Sequence, residues 1–133
     1  MIDLSKFKIR EPIHSSRFIL NFPKEFQLDP SCVQKLSPIK YNFKTGWEEI
    51  VISIYDIIEM ELTKTISENI RPDQRGTFIL NKLDPCGESI EKIQINSKLV
   101  DINFGEFDYA SNELNVIKLT IKPMSIIISH GKS

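Results

Sequence analysis

Apolar and polar positions alternate with a period of two over much of this chain, and that alternation predicts β-strands. It is clearest in Glu48 to Tyr55, where Glu48, Ile50, Ile52 and Ile54 share one face and Glu49, Val51, Ser53 and Tyr55 the other. The first set is expected to face a core, as in a half-buried antiparallel strand. Ile39, Tyr41 and Phe43 alternate in the same way and predict a strand that pairs, across a Thr45-Gly46 turn, with the one starting at Trp47. Arg17 to Phe22 is a short apolar strand stopped by Pro23. Lys24 to Pro38, punctuated by Pro30 and Pro38, has no periodicity and reads as one long loop. The first sixteen residues, with Pro12, read as an arm.

From Ile57 the period changes. Ile58, Leu62, Ile66 and Ile70 recur at helical spacing, and Asp56 with Glu59 has the spacing of a capping box, while Pro72 ends the helix. Four more strands are expected: Thr77 to Leu83, Ser89 to Asn96, Leu99 to Phe107, and Glu113 to about Ile128. Asp84-Pro85-Cys86-Gly87 suits a type I turn, and Asn96-Ser97-Lys98 and Ala110-Ser111-Asn112 are each short enough for a tight hairpin. The predicted fold is a single mainly β domain over residues 1–133, an antiparallel sandwich or small barrel of about seven strands with one flanking α-helix.

Composition narrows the function classes. With 17 basic and 18 acidic residues the formal charge is -1, and no linear cluster of Lys and Arg could neutralise a row of phosphates. The apolar run Ile50 to Ile58 is broken by Ser53 and Asp56, far short of a membrane span, so no membrane anchor is expected. Charges scattered from Asp3 onward are in the wrong order for a secretory signal, and Cys32 and Cys86 lie in loop sequence without a disulfide pattern. Reduced thiols in a cytoplasmic setting are expected.

Catalytic, cofactor-binding and metal-binding chemistry has little to stand on, and none is expected. His14 and His130 lie near the ends of the sequence, Cys86 has no base nearby, and Glu106 with Asp108 lacks a third ligand. Gly76 and Gly105 are isolated, so no phosphate-cradling loop is present. Tyr41, Phe43, Phe104, Phe107 and Tyr109 could stack bases, but Asp101, Glu106 and Asp108 surround the later ones, which favours a core or subunit interface.

Two segments carry a resemblance. Leu83-Asp84-Pro85-Cys86-Gly87-Glu88-Ser89-Ile90-Glu91, followed by Ile102-Asn103-Phe104-Gly105-Glu106-Phe107-Asp108-Tyr109-Ala110-Ser111-Asn112-Glu113, resembles the tail tube proteins of T-even-like contractile phages, within the tail tube and Hcp-like superfamily. In that family a strand ends in a proline, small residue, glycine, glutamate turn, and a later strand ends in a glycine, acid, aspartate, aromatic hairpin. Leu114 to Lys122 is similar to the closing strand, and the likeness covers roughly Ile39 to Ile128.

The resemblance implies a structural virion protein that closes into hexameric rings, stacked as the inner tail tube through which DNA is ejected. It implies as partners further copies of itself, the sheath, and baseplate and terminator proteins. DNA would pass without specific binding, and the particle would be assembled in the host cytoplasm. A baseplate initiator or tail terminator of the same fold is an alternative, and a small nucleic-acid-binding β-barrel is one of another class. Under this reading the arm and the 24–38 loop make contacts between rings. Phe26, Leu28, Asp29, Cys32, Phe107, Asp108, Tyr109 and Asn112 are the interface candidates. Gln94, Asn96, Asp101 and Asn103 are the lumen candidates, because strand alternation puts each pair on one face.

Overall fold

The computed structural model describes residues 13–71 and 73–130. The strands are β1 (Phe18–Asn21), β2 (Val33–Leu36), β3 (Tyr41–Asn42), β4 (Gly46–Trp47), β5 (Ile50–Tyr55), β6 (Arg75–Leu83), β7 (Ser89–Asn103) and β8 (Val116–His130), with one helix, α1 (Leu62–Asn69). Six strands form one antiparallel sheet in the order β1-β6-β7-β8-β5-β2, and β3 pairs with β4 in a separate two-stranded sheet. The sheet curls until β1 packs against the Pro30–Cys32 turn leading into β2, so the barrel alternative of the sequence reading is the one realised.

One face of that sheet is the core. Ile50, Ile52 and Ile54 of β5 lie inside, as the alternation predicted, opposite Ile121, Leu119 and Ile117 of β8. Ile93, Ile95 and Leu99 of β7, Phe78 and Leu80 of β6 and Leu20 of β1 continue the layer. Leu62, Ile66 and Ile70 from the helical segment close it, and burying each such side chain contributes about 1.5–3 kcal/mol.

Five sequence expectations need correction. The helix begins at Leu62, because Glu61 takes a left-handed conformation (φ 46°) and splits off a 3-10 turn at Ile58–Met60. No capping box forms, and Asp56 instead accepts a hydrogen bond from the Asn115 side chain at 2.9 Å. The segment 24–38 is no structureless loop: it holds 3-10 turns at Lys24–Phe26 and Pro30–Cys32 and then β2. Asn96-Ser97-Lys98 is no hairpin; β7 runs through it as one strand of 15 residues with bulges at Asn96/Ser97 and Leu99/Asp101. The core alternation Ile93, Ile95, Ser97, Leu99 never breaks, and Ser97 sits buried with its hydroxyl donating to the Gly76 carbonyl at 3.4 Å. Finally, Ala110-Ser111-Asn112 belongs to a long loop between β7 and β8, which therefore starts at Val116 rather than Glu113.

Other local readings hold. The amide of Gly87 donates to the Asp84 carbonyl at 3.0 Å, and the Asp84 carboxylate accepts from the amides of Cys86 and Glu88, both at 2.9 Å. Tyr41 pairs with Trp47 across the 43–45 turn. The arm expected over residues 1–16 falls outside the described residues except for 13–16, and so does Pro72. Within the described residues the helix already ends at Asn69, with the Ile70 amide still donating to the Ile66 carbonyl.

Candidate assembly surfaces

A sheet that does not close leaves edges, and several stretches of backbone here have a partner on one side only among the described residues. Among them are the outer edges of β1 and β2 and the second half of β8. β7 accompanies β8 along nearly its whole length, but β5 leaves it at Ile121, so Lys122–His130 is unpaired on that side. Ile127 and Ile128 are exposed there, as is Met124 at the bulge. A long apolar edge of this kind is a template for another strand.

The two ends of β5 carry contrasting projections. At the Tyr55 end, the 104–115 loop folds over the sheet and, with Gln34 and Lys35, bounds a groove of about 1040 Å3. Its base is fixed by Gly105, which has φ +100° and whose missing Cβ would lie 2.1 Å from Asn115 Oδ1. Asn115 Nδ2 donates to Asp56 Oδ2 (2.9 Å) and to the Phe104 carbonyl (3.3 Å), while Oδ1 is buried without a partner. The Asp108 side chain accepts from the Ala110 amide and its carbonyl from the Ser111 amide, which turns the tip. That tip holds Phe107, Tyr109 and Leu114 in solvent beside Glu106, Asp108 and Glu113.

At the Ile50 end, the β3–β4 hairpin carries the second aromatic group. Asn42 Oδ1 accepts from the amides of Lys44 and Thr45, and Tyr41 packs edge-on against Phe43 and Trp47 at centroid separations of 5.7 and 5.0 Å. Phe43 is almost fully exposed at the turn. The Lys122 ammonium donates to the Trp47 carbonyl and ties the hairpin to β8.

The predicted interface residues separate into two groups. Phe107, Asp108, Tyr109 and Asn112 all lie exposed on the 104–115 loop. Phe26, Leu28 and Cys32 are buried in the chain's own core, where Phe26 packs edge-on against Phe78 at 5.5 Å. Asp29 between them is exposed, and its carboxylate caps the following turn through the Ser31 amide at 2.8 Å, a bond that lowers its pKa. The lumen candidates share the outer face of the sheet. Gln94 and Asn96 point away from buried Ile93 and Ile95, and the bulge at Leu99/Asp101 shifts the alternation so that Asp101 and Asn103 also point outward.

Missed by the sequence reading were the exposed Ile58, Leu114, Ile127 and Ile128. For Ile127 the available signal was its place in the middle of a run of three isoleucines, where strict alternation would put a polar residue.

Chemical groups are dispersed. Among the described residues no three His, Cys, Asp or Glu side chains stand where a metal ion could be held. Both thiols are free: Cys86 is exposed in its turn, and Cys32 donates to the Asp29 carbonyl at 3.0 Å while burial pushes its thiol up to about 11. His130 contacts Glu91 at 3.3 Å, and Glu91 also pairs with Lys82 at 2.7 Å.

No family model and no curated protein sequence matches the chain. Solved structures do. A chain of the sheath-tube complex of the extracellular contractile injection system PVC, in its extended state, aligns over 98% of this chain and all of its own length, with TM-score 0.70 and 16% identity. The chain has the tail-tube fold. Two further structures share this fold. The terminating cap of the anti-feeding prophage tube aligns over 92% of this chain and 94% of its own length, with TM-score 0.69 and 15% identity. Hcp1 from Flavobacterium johnsoniae aligns over 86% and 96%, with TM-score 0.53 and 13% identity. The tail-tube fold thus accounts for nearly every described element, from β1 to β8, and the open edges are features of the whole sheet.

Proposed function

We propose that this chain is the tube subunit of a contractile tail or injection system, a structural protein without catalytic activity that closes into six-membered rings and stacks them into a hollow tube. The observation that carries the reading is the half of β8 that lacks a partner strand on one side among the described residues. Nine residues of strand with exposed Met124, Ile127 and Ile128 require a covering partner, and a second copy can supply an edge strand, β1 or β2, to extend the sheet. A contact between two different edges of identical copies is heterologous, and it closes into a ring when the rotation fits.

Stacking then uses the ends of β5. The 104–115 loop, with Phe107, Asp108, Tyr109 and Asn112, meets a neighbouring ring, and the exposed side of 24–38, with Asp29, contributes beside it. Phe26, Leu28 and Cys32 hold that segment from inside. Gln94, Asn96, Asp101 and Asn103 line the lumen, through which phage DNA passes in transit. Sheath, baseplate and terminator proteins are the heterologous partners, and the finished particle, assembled in the host cytoplasm, is where the subunit resides. The sheath-tube complex among the structural matches supports the sheath contact.

The test is negative-stain electron microscopy of the purified chain with sedimentation over a range of concentration. Six-fold rings and hollow tubes are expected, and a persistent monomer at every concentration would end the self-assembly reading. The likeness to a tube terminating cap favours one second reading, a ring that ends the tube. Rings that never elongate would select it.

A further inference from the structure

The outer face of the sheet carries a feature that no linear stretch of the chain reveals. Register sets Arg75 of β6 directly opposite Lys98 of β7, and Lys98 directly opposite Lys122 of β8. Three cations therefore stand side by side on adjacent strands, at the strand spacing of about 4.8 Å. Like charges placed opposite each other destabilise a sheet. Among the described residues no ion pair relieves Arg75, Lys98 or nearby Lys92. Lys122 donates only to the uncharged Trp47 carbonyl.

The next row along the strands is neutral and pre-ordered. Thr77 donates to Asn96 at 2.9 Å and Asn96 to Ser125 at 2.8 Å, so hydroxyl and amide groups span the same three strands. Beyond it lie Ile79, Gln94 and Ile127, and then Asn81, Lys92 and Ser129. Over these four rows the face presents four cations and no carboxylate. Glu91 points to the other face, towards Lys82, and Asp101 comes only past the bulge.

We infer that this strip, centred on Arg75, Lys98 and Lys122, is a binding site for the phosphate backbone of nucleic acid, independent of base sequence. Arg and Lys beside Thr, Ser, Asn and Gln is the side-chain set that contacts phosphate and sugar oxygens. No aromatic side chain lies among the four rows, so bases have nothing to stack on, and contacts to phosphate and sugar oxygens carry no base information. Three cations give a weak, salt-sensitive contact suited to a polymer that must move on. In a tube lined by Gln94 and Asn96 it would touch passing DNA without retaining it. The strip belongs to a single chain, so its test and the electron-microscopy test fail independently.

The test is anisotropy of a labelled DNA duplex titrated with the full chain at several salt concentrations. Neutralising three phosphates gives a slope of log affinity against log salt of about −3. Lys98→Gln and Arg75→Gln should each lower that slope by about 1, while Lys64→Gln on α1 should leave it unchanged. In the wild-type chain, amide resonances of Arg75, Thr77, Asn96, Lys98 and Ser125 should shift on adding duplex, a readout that needs no variant. Absence of binding at low salt, or an unchanged slope in both strand variants, would overturn the assignment. Competition by poly-glutamate equal to that by duplex at matched charge would overturn it in favour of an acidic polypeptide.

Discussion

Replacing Gly105 by alanine should unfold the base of the 104–115 loop far more than the same change at Gly87, and the difference measures how that loop is held. Both glycines have positive φ, +100° and +85°, which costs an L-residue about 1–2 kcal/mol. At Gly87 an added Cβ meets nothing within 4 Å, so that conformational cost is the whole effect. At Gly105 it would lie 2.1 Å from Asn115 Oδ1 and 3.0 Å from the Val116 carbonyl, so the amide must swing away. The swing breaks the bonds from Nδ2 to Asp56 and Phe104, each worth about 0.5–1.5 kcal/mol net and the charged one more. The expected losses are about 3–4 kcal/mol for Gly105→Ala and about 1–2 kcal/mol for Gly87→Ala. Urea unfolding followed by Trp47 fluorescence reads both from the midpoint at constant m-value. Equal losses in the two variants, or less than about 1 kcal/mol at Gly105, would refute the role given to Asn115.

Three other outcomes follow from the packing and the exposed tips. Phe78→Ala removes a ring held between Phe22 and Phe26 and should cost about 3–5 kcal/mol in thermal or urea unfolding, whereas a loss under about 2 would mean the site collapses around the gap. Thiol titration at pH 8 should find Cys86 alone in the folded chain and both thiols in denaturant; because the Cys32 pKa rises from 9.0 to about 11, the unfolded chain ionises first and stability should fall by about 2–3 kcal/mol as pH climbs from 9 through 11, a fall absent in Cys32→Ala. Phe107→Ser and Tyr109→Ser should leave the urea midpoint within about 0.5 kcal/mol of wild type but suppress assembly in the sedimentation profile, and equal loss of folding and assembly would count against an interface at this loop.

Where local chemistry and burial agree, the fold was legible from the chain. Ile50, Ile52 and Ile54 announce β5, and Asp84 to Gly87 announce their turn, because each pattern has one cause. Ser97 shows the opposite case: a small polar residue between Asn96 and Lys98 looks like turn chemistry, yet it holds the core-facing place between Ile95 and Leu99 in an unbroken alternation. Ile58 fits the helical spacing and is exposed, since the left-handed Glu61 breaks the helix before it. Of the interface candidates, Phe107, Asp108, Tyr109 and Asn112, named through the family resemblance, lie exposed, while apolar Phe26, Leu28 and Cys32 in a Pro-flanked segment looked destined for a neighbour and serve the chain's own interior. The cation strip was invisible because cross-strand neighbours are set by register, which no single segment encodes.

The position of β8 also has a consequence for biosynthesis. It is the last of the six sheet strands to leave the ribosome, yet it lies between β7 and β5 in the finished sheet. While β1, β6 and β7 can already pair with one another and β2 with β5, no strand joins the two groups, and Ile50, Ile52 and Ile54 lack their β8 partners until residues 116–130 are translated. Core closure and display of the β8 edge are therefore one event. A nascent subunit has no β8 edge to offer its neighbours on the same message, and association on that edge waits for a chain that has finished folding.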